Sequence, residues 1–192
     1  MIGNDIVDLG LAMKEGTWKR PGFQKKVFAV EEQKLIAHSS KAFLLIWRLW
    51  SMKESAYKLY IRLGGKRFFN PSKLVCKVES KTRGSVRVDD QVFTTSSLIE
   101  DDYVFSTAAI KATQPFQSQV IELQSSNYEI QSRDTKSGAL TQVAKQRSFN
   151  LEAMEIRKSP SGVPEAFHQG LKIPIDLSLS HHGKFGVFSI LN

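Results

Sequence analysis

The sequence is poor in cysteine, in long apolar runs and in acid relative to base. Its one cysteine, Cys76, excludes a disulfide framework and a Cys-based zinc cluster, and nothing opposes a reducing compartment. The longest unbroken apolar run, residues 42–47, is far shorter than the roughly 20 residues a membrane-crossing helix needs. Asp5 and Asp8 stand where a secretory leader would carry basic and then apolar residues, so a cytoplasmic location is expected. Acidic residues number 19 against 27 Lys and Arg, a formal net charge of +8. That imbalance points to negatively charged partners: nucleic acid, an anionic membrane, a phosphorylated cofactor or an acidic protein. Repeats and low-complexity tracts are also missing. What is present suffices for a core, because 192 residues with 41% hydrophobic content suit one domain or two small, closely packed halves.

The longest helix-like stretch covers residues 41–63, with Ser40 as N-cap, Gly64-Gly65 as stop and no Gly or Pro between them. Phe43, Leu44, Ile46, Trp47, Trp50, Met52 and Tyr57 occupy more than one stripe, which predicts a helix largely surrounded by protein. Steps of three and four put Trp47, Trp50, Glu54 and Lys58 on one face. An acid and a base beside two indoles read either as a site or as a solvated helical ion pair worth roughly 0.2–0.5 kcal/mol.

Residues 2–9 read as a strand whose alternation places Gly3, Asp5, Val7 and Leu9 on one face. If that face is covered, the Asp5 carboxylate needs a cation, a metal ion or strong donors beside it. If the strand is an edge, Asp5 is hydrated. Residues 14–26 are basic and read as a loop or short helical turn, followed by a helix over 30–38. Gly64-Gly65-Lys66-Arg67 lacks the spaced glycines and the Ser or Thr of a phosphate loop, so Gly64 reads as a helix C-cap. Strands are predicted over 73–78, 85–88, 91–95 and 103–110, with Asp89-Asp90 as a turn, giving an α+β pattern.

Ala112-Thr113-Gln114-Pro115 is the expected boundary between an N-terminal half, 1–112, and a C-terminal half, 113–192. The second half is expected to hold a strand over 119–123, a helix over 136–147 and a strand over 153–157. A turn-rich loop over 158–164 follows, then strands over 173–180 and 185–191 joined by His181-His182-Gly183-Lys184. Ser178, Ser180, His181 and His182 offer donors to an anion, and Lys184 adds charge. The alternative is a polar hairpin turn. A zinc site lacks further ligands, and no nucleophile elbow surrounds Ser180.

Taken together, three segments resemble the 4'-phosphopantetheinyl transferase superfamily. Gly3-Asn4-Asp5-Ile6-Val7 is similar to the family's Gly-x-Asp-Ile/Val strand. Trp50, Ser51, Lys53, Glu54, Ser55 and Lys58 match every fixed position of its Lys-Glu helix, the most specific match in the chain. Ser178-Leu179-Ser180-His181 resembles its Ser-x-Ser-His segment, and Gly162-Val163-Pro164 its Gly-Lys-Pro loop, with Val163 in place of the lysine. The motif order is that of the small holo-acyl-carrier-protein synthase type, whereas the length approaches the larger two-half type. The resemblance therefore implies two similar α+β halves forming a circularly permuted pseudodimer, with one complete site in a monomer.

It further implies magnesium-dependent transfer of 4'-phosphopantetheine from coenzyme A to a serine of an acidic acyl or peptidyl carrier protein, releasing adenosine 3',5'-bisphosphate. On that reading Asp5 and Glu54 hold the metal, and Glu54 accepts the serine proton. Lys58 holds a pyrophosphate oxygen, and Ser180, His181 and Pro164 lie against the cofactor. Asp8 matches an acidic position of the small type without an assigned role. Neither nucleic acid nor membrane is then a partner. Two alternatives remain at this point: a non-enzymatic nucleic-acid-binding module, for which a pI near 9.6 and interspersed aromatics speak, and a catalytically degenerate carrier-binding relative.

Overall fold

The computed structural model describes residues 1–111 and 115–192; the expected boundary at 112–114 lies outside them. The first strand, β1 (Ile2–Asp8), pairs antiparallel with β5 (Tyr103–Ala109), placing Asp5 opposite Ser106. With β2 (Val75–Val78), β3 (Arg83–Val88) and β4 (Gln91–Ile99) they form an antiparallel sheet of order β1-β5-β4-β3-β2. Across it lies the long helix α4 (Ala42–Arg62), which buries Ile46, Trp47, Leu49, Met52, Ala56 and Leu59. Trp50 and Tyr57 are half-buried at the margin of that core. Strand and helix touch because residue 3 has no side chain: a Cβ there would sit 2.0 Å from the Ser55 carbonyl oxygen.

Residues 117–191 also set a helix against an antiparallel sheet. β10 (Asp176–His182), β11 (Phe185–Leu191) and β6 (Gln117–Glu122) make an antiparallel sheet of order β10-β11-β6. Helix α5 (Tyr128–Arg147) covers it, packing Ala139 and Val143 with Leu177, Phe188 and Ile190. A small antiparallel sheet of β7 (Met154–Lys158), β8 (Pro164–His168) and β9 (Leu171–Lys172) stands beside them. The architecture is α+β, as expected, and no helix among the described residues is long and apolar enough to cross a membrane.

β1 ends its sheet in hydrogen-bonding order, yet all seven of its residues are buried. Its outward N–H groups are taken by β10 side chains: Asn4 N donates to Ser178 Oγ at 2.9 Å, Ile6 N to Ser180 Oγ at 3.4 Å and Asp8 N to His182 Nδ1 at 3.0 Å. Both chains advance by two residues, so alternate side chains of one strand meet alternate amides of the other. This side-chain ladder removes the hydrated-edge option for Asp5 and joins β1 to the sheet of β10 and β11.

Several expected boundaries shift for local reasons. The strand stops at Asp8 and does not reach Leu9: Asp8 Oδ1 accepts from Leu11 N at 2.9 Å and caps α1 (Leu9–Glu15), a helix in place of the expected strand end. The basic segment contains a second short helix, α2 (Phe23–Val27), before α3 (Val30–Ala37). α4 starts from Lys41, and Ser39 rather than Ser40 supplies the nearby hydroxyl, accepting from Lys41 N. Gly64 ends α4 in the left-handed region (φ 88°), as expected. α5 begins well before residue 136, at the cap formed by Asn127 Oδ1 with the amides of Glu129 and Ile130. His181 and His182 belong to β10, leaving Gly183-Lys184 as the turn.

Candidate active site

Between α4, the first turns of α5, β10 and the 158–164 loop lies a cavity of about 410 Å3. Glu54 and Lys58, one helical turn apart on α4, line one wall; His181 of β10 lines another, and Pro164 with Gly162 and Val163 closes a third. Asp5 lies off the wall, one hydrogen bond behind Lys58, and Ser180 lies one bond behind Asp5. Lys58 Nζ donates to the Asn4 carbonyl at 2.8 Å and to Asp5 Oδ1 at 3.3 Å, and Ser180 Oγ donates to Asp5 Oδ1 at 3.0 Å. The predicted residues from β1, α4 and β10 are thus brought to one place.

The electrostatics of the two acids are unusual. Asp5 Oδ2 is buried without a hydrogen-bond partner among the described residues. Burial pushes the Asp5 carboxyl up, outweighing the lowering by Lys58 and Ser180. Glu54 is pushed up to about 7, first by burial and then by the charge of Asp5, with Lys58 opposing. A bare buried oxygen and a second carboxyl repelled by the first are conditions that a divalent cation relieves. The donor set suits Mg2+, a hard ion that takes one or two carboxylates and leaves its other positions to phosphate and water. Among the described residues no group of three or more His, Cys, Asp or Glu is placed to hold a metal ion, so a cation here would have Asp5 and Glu54 as its carboxylates.

His181 is driven the other way. Burial, then Lys58, His182 and Lys136, lower its pKa, which favours the neutral ring. Further cations unread in the sequence line the cavity: Arg67, Lys136 and Lys158. Arg67 Nη2 donates to the Ser161 carbonyl at 2.6 Å, and a Cβ on Gly162, at φ 79°, would lie 2.5 Å from it. The guanidinium therefore rests on the loop that carries Val163 instead of lysine. Arg67 carries no signal of its own beside Gly64-Gly65, and Tyr128 and Gln131 precede residue 136, where the sequence pattern starts the helix.

Other motif residues hold the frame. Lys53 is fully buried, paired with Glu32 Oε2 at 2.8 Å and donating to Pro71 O at 3.1 Å. Ser51 Oγ donates to the Asp5 carbonyl at 3.0 Å, fastening α4 to β1. Asp8 Oδ2 accepts from Lys184 N at 2.9 Å while its Oδ1 caps α1, so both oxygens have structural partners.

Solved structures similar to this chain include the holo-[acyl-carrier-protein] synthase of Neisseria meningitidis, 15% identical with a TM-score of 0.47, covering 56% of this chain and 94% of that one. The Helicobacter pylori enzyme in complex with coenzyme A is 16% identical with a TM-score of 0.45, covering 56% and 97%. The Thermotoga maritima enzyme is 12% identical with a TM-score of 0.44, covering 89% and 83%. No curated protein sequence matches. The family model of the 4'-phosphopantetheinyl transferase superfamily matches residues 1–110, more than half of the 192 in the chain. The chain belongs to that superfamily.

Proposed function

We propose that the protein transfers 4'-phosphopantetheine from coenzyme A to a serine of an apo acyl or peptidyl carrier protein in the cytoplasm. The observation that carries this reading is the convergence of Glu54, Lys58 and His181 on a cation-lined cavity, with Asp5 directly behind them. The serine Oγ attacks the phosphorus attached to pantetheine, and the pyrophosphate P–O bond breaks. Adenosine 3',5'-bisphosphate leaves with the bridging oxygen. Charge spreads over phosphate oxygens in such a transition state, so catalysis asks mainly for positioning and neutralisation.

Glu54 faces the cavity beside Lys58 and is the group that accepts the serine proton, directly or through a water. Lys58 gives up its contacts to Asn4 and Asp5 in part to hold a pyrophosphate oxygen, while His181 and Arg67 face the cofactor phosphates. Ser180, whose hydroxyl is bonded to Asp5, orients that carboxylate from behind, and Pro164 shapes the cofactor wall. Asp5 and Glu54 would hold Mg2+, which when bound supplies charge neutralisation at the reacting phosphate. Residues 1–112 then carry the metal side and 113–192 the coenzyme A side of a circularly permuted pseudodimer that works as a monomer. The net charge of +8 favours encounter with an acidic carrier.

Mass spectrometry of candidate apo-carriers incubated with the protein, coenzyme A and Mg2+ tests the reading. A phosphopantetheine mass increase on the carrier serine is expected. Its absence from fatty-acid, polyketide and peptide carriers alike would remove the proposal.

A further inference from the structure

Gln131, near the start of α5, is buried and belongs to none of the motifs. Its side-chain nitrogen donates to two carbonyl oxygens, Ser125 O at 2.9 Å and Gly183 O at 2.6 Å. Chemistry decides the orientation of the amide: turned over, its oxygen would face both carbonyls and lose two hydrogen bonds. Gln131 Oε1 is therefore the atom 3.0 Å from His181 Nδ1. An amide oxygen only accepts, so the hydrogen between them belongs to the imidazole. One turn earlier on the same helix face, the Tyr128 ring lies 4.8 Å from the His181 ring at 59°. The imidazole is held at its edge by one α5 side chain and on its face by another.

We propose that Gln131 is a positioning residue that locks His181 as the Nδ1–H tautomer and so reserves Nε2 for the ligand in the cavity. Nε2 has no protein partner among the described residues, and His181 lines the cavity wall. Both protonation states keep the Gln131 bond: the neutral ring offers Nε2 as an acceptor, the imidazolium as a donor to an anionic oxygen. An imidazole free to flip or to change tautomer would offer that donor only part of the time. Gln131 also bonds to Gly183, so the β10–β11 turn and the ring are set by one side chain. The use of Nε2 toward a cofactor phosphate rests on the proposed function; the tautomer itself does not.

Long-range 1H–15N correlation of the 15N-labelled full chain at pH 8, without ligand, reports the tautomer directly, with His181→Asn assigning the signals. The wild-type ring is expected to show the Nδ1–H pattern. Gln131→Leu is expected to move it toward Nε2–H and to weaken coenzyme A binding, measured by calorimetry, by about tenfold. Gln131→Glu, which keeps an acceptor at the same reach, should retain the Nδ1–H pattern. A merely structural glutamine would leave the tautomer unmoved by either change. An Nε2–H wild-type ring overturns the proposal even if Gln131→Leu does not fold, and so does an unchanged tautomer in that variant. An intact Nδ1–H signature in a protein that does not bind coenzyme A would uphold the lock and remove the proposed function instead.

Discussion

Ser180 Oγ and Asp5 Oδ1 lie 3.0 Å apart, with the hydroxyl donating, while the other oxygen of the same carboxylate is buried and has no partner among the described residues. One side of Asp5 is thus satisfied by Ser180 and Lys58 and the other is left bare. An unpaired buried carboxylate oxygen is costly, and Glu54 adds like charge nearby. A cation bound between the two carboxyls would relieve both costs.

A metal-dependent change in stability follows. Mg2+ added to the wild-type protein, without coenzyme A or carrier, should raise the melting temperature. The stabilisation is about 2.7 kcal/mol once the ion reaches a hundred times its Kd. Asp5→Asn and Glu54→Gln should each lose most of that shift and lose turnover, and EDTA should abolish turnover in the wild type. Differential scanning fluorimetry across a Mg2+ series checks it; an equal shift in Asp5→Asn would remove the carboxylate from the site.

The same pair sets a pH dependence. Glu54 has a folded-state pKa of about 7 against an ordinary 4.5, so between those values the folded protein binds a proton that the unfolded chain has released. Stability of the metal-free protein therefore falls as pH rises from about 4.5 to 7, and the raised Asp5 acts in the same direction. Glu54→Gln should flatten this slope and stabilise the metal-free protein at pH 8 by on the order of 1–3 kcal/mol, discounted for partial exposure. Urea titrations at pH 5 and pH 8 give the comparison. A variant as pH-sensitive as the wild type would show that Glu54 is not the group responsible.

The sequence made β1, α4 and the last two strands legible because each announces itself locally, through β-branched runs, helix-forming residues and a Gly stop. Glu54 and Lys58 could be placed on one helix face, and His181 at a strand end, from spacing and neighbours alone. What the sequence hides is which distant group engages a side chain. Asp8 matches an acidic motif position without an assigned role, and only the structure shows that its oxygens go to Leu11 and Lys184. Ser180 looked free for a ligand, yet it bonds to a residue 175 positions away. Arg67 and Gln131 carry no local pattern; only the approach of Ser161 and of His181 gives them meaning.

Two lysines five positions apart on α4 should separate cleanly in experiment. Lys53 is fully buried, and its partner Glu32 also accepts from the amides of Ala29 and Cys76, each at 2.7 Å. Lys53→Ala leaves that carboxylate buried without its cation, a loss of about 3–5 kcal/mol. Lys58 is a third exposed and faces the cavity. Lys58→Ala should keep the fold and weaken coenzyme A binding along with the rate. Urea unfolding and calorimetry on both variants check the split; a stable Lys53→Ala protein with impaired cofactor binding would reverse the assignment.

The ladder between β1 and β10 predicts how the molecule assembles and unfolds. Asn4 exchanges hydrogen bonds with Ser178 through its amide and side chain and donates to Ser189 at 2.9 Å, all within the interior. Because these bonds join the first strand to the second half, the two halves should unfold in one transition rather than two. Ser178→Ala should lower the midpoint of that single transition by about 1–3 kcal/mol, since it strands the Asn4 N–H and side-chain oxygen. The cavity draws its walls from both halves of one chain, so sedimentation equilibrium should return a monomer. An obligate trimer, or a Ser178→Ala protein that melts in two separate steps while the wild type does the same, would mean that the halves are not one cooperative unit.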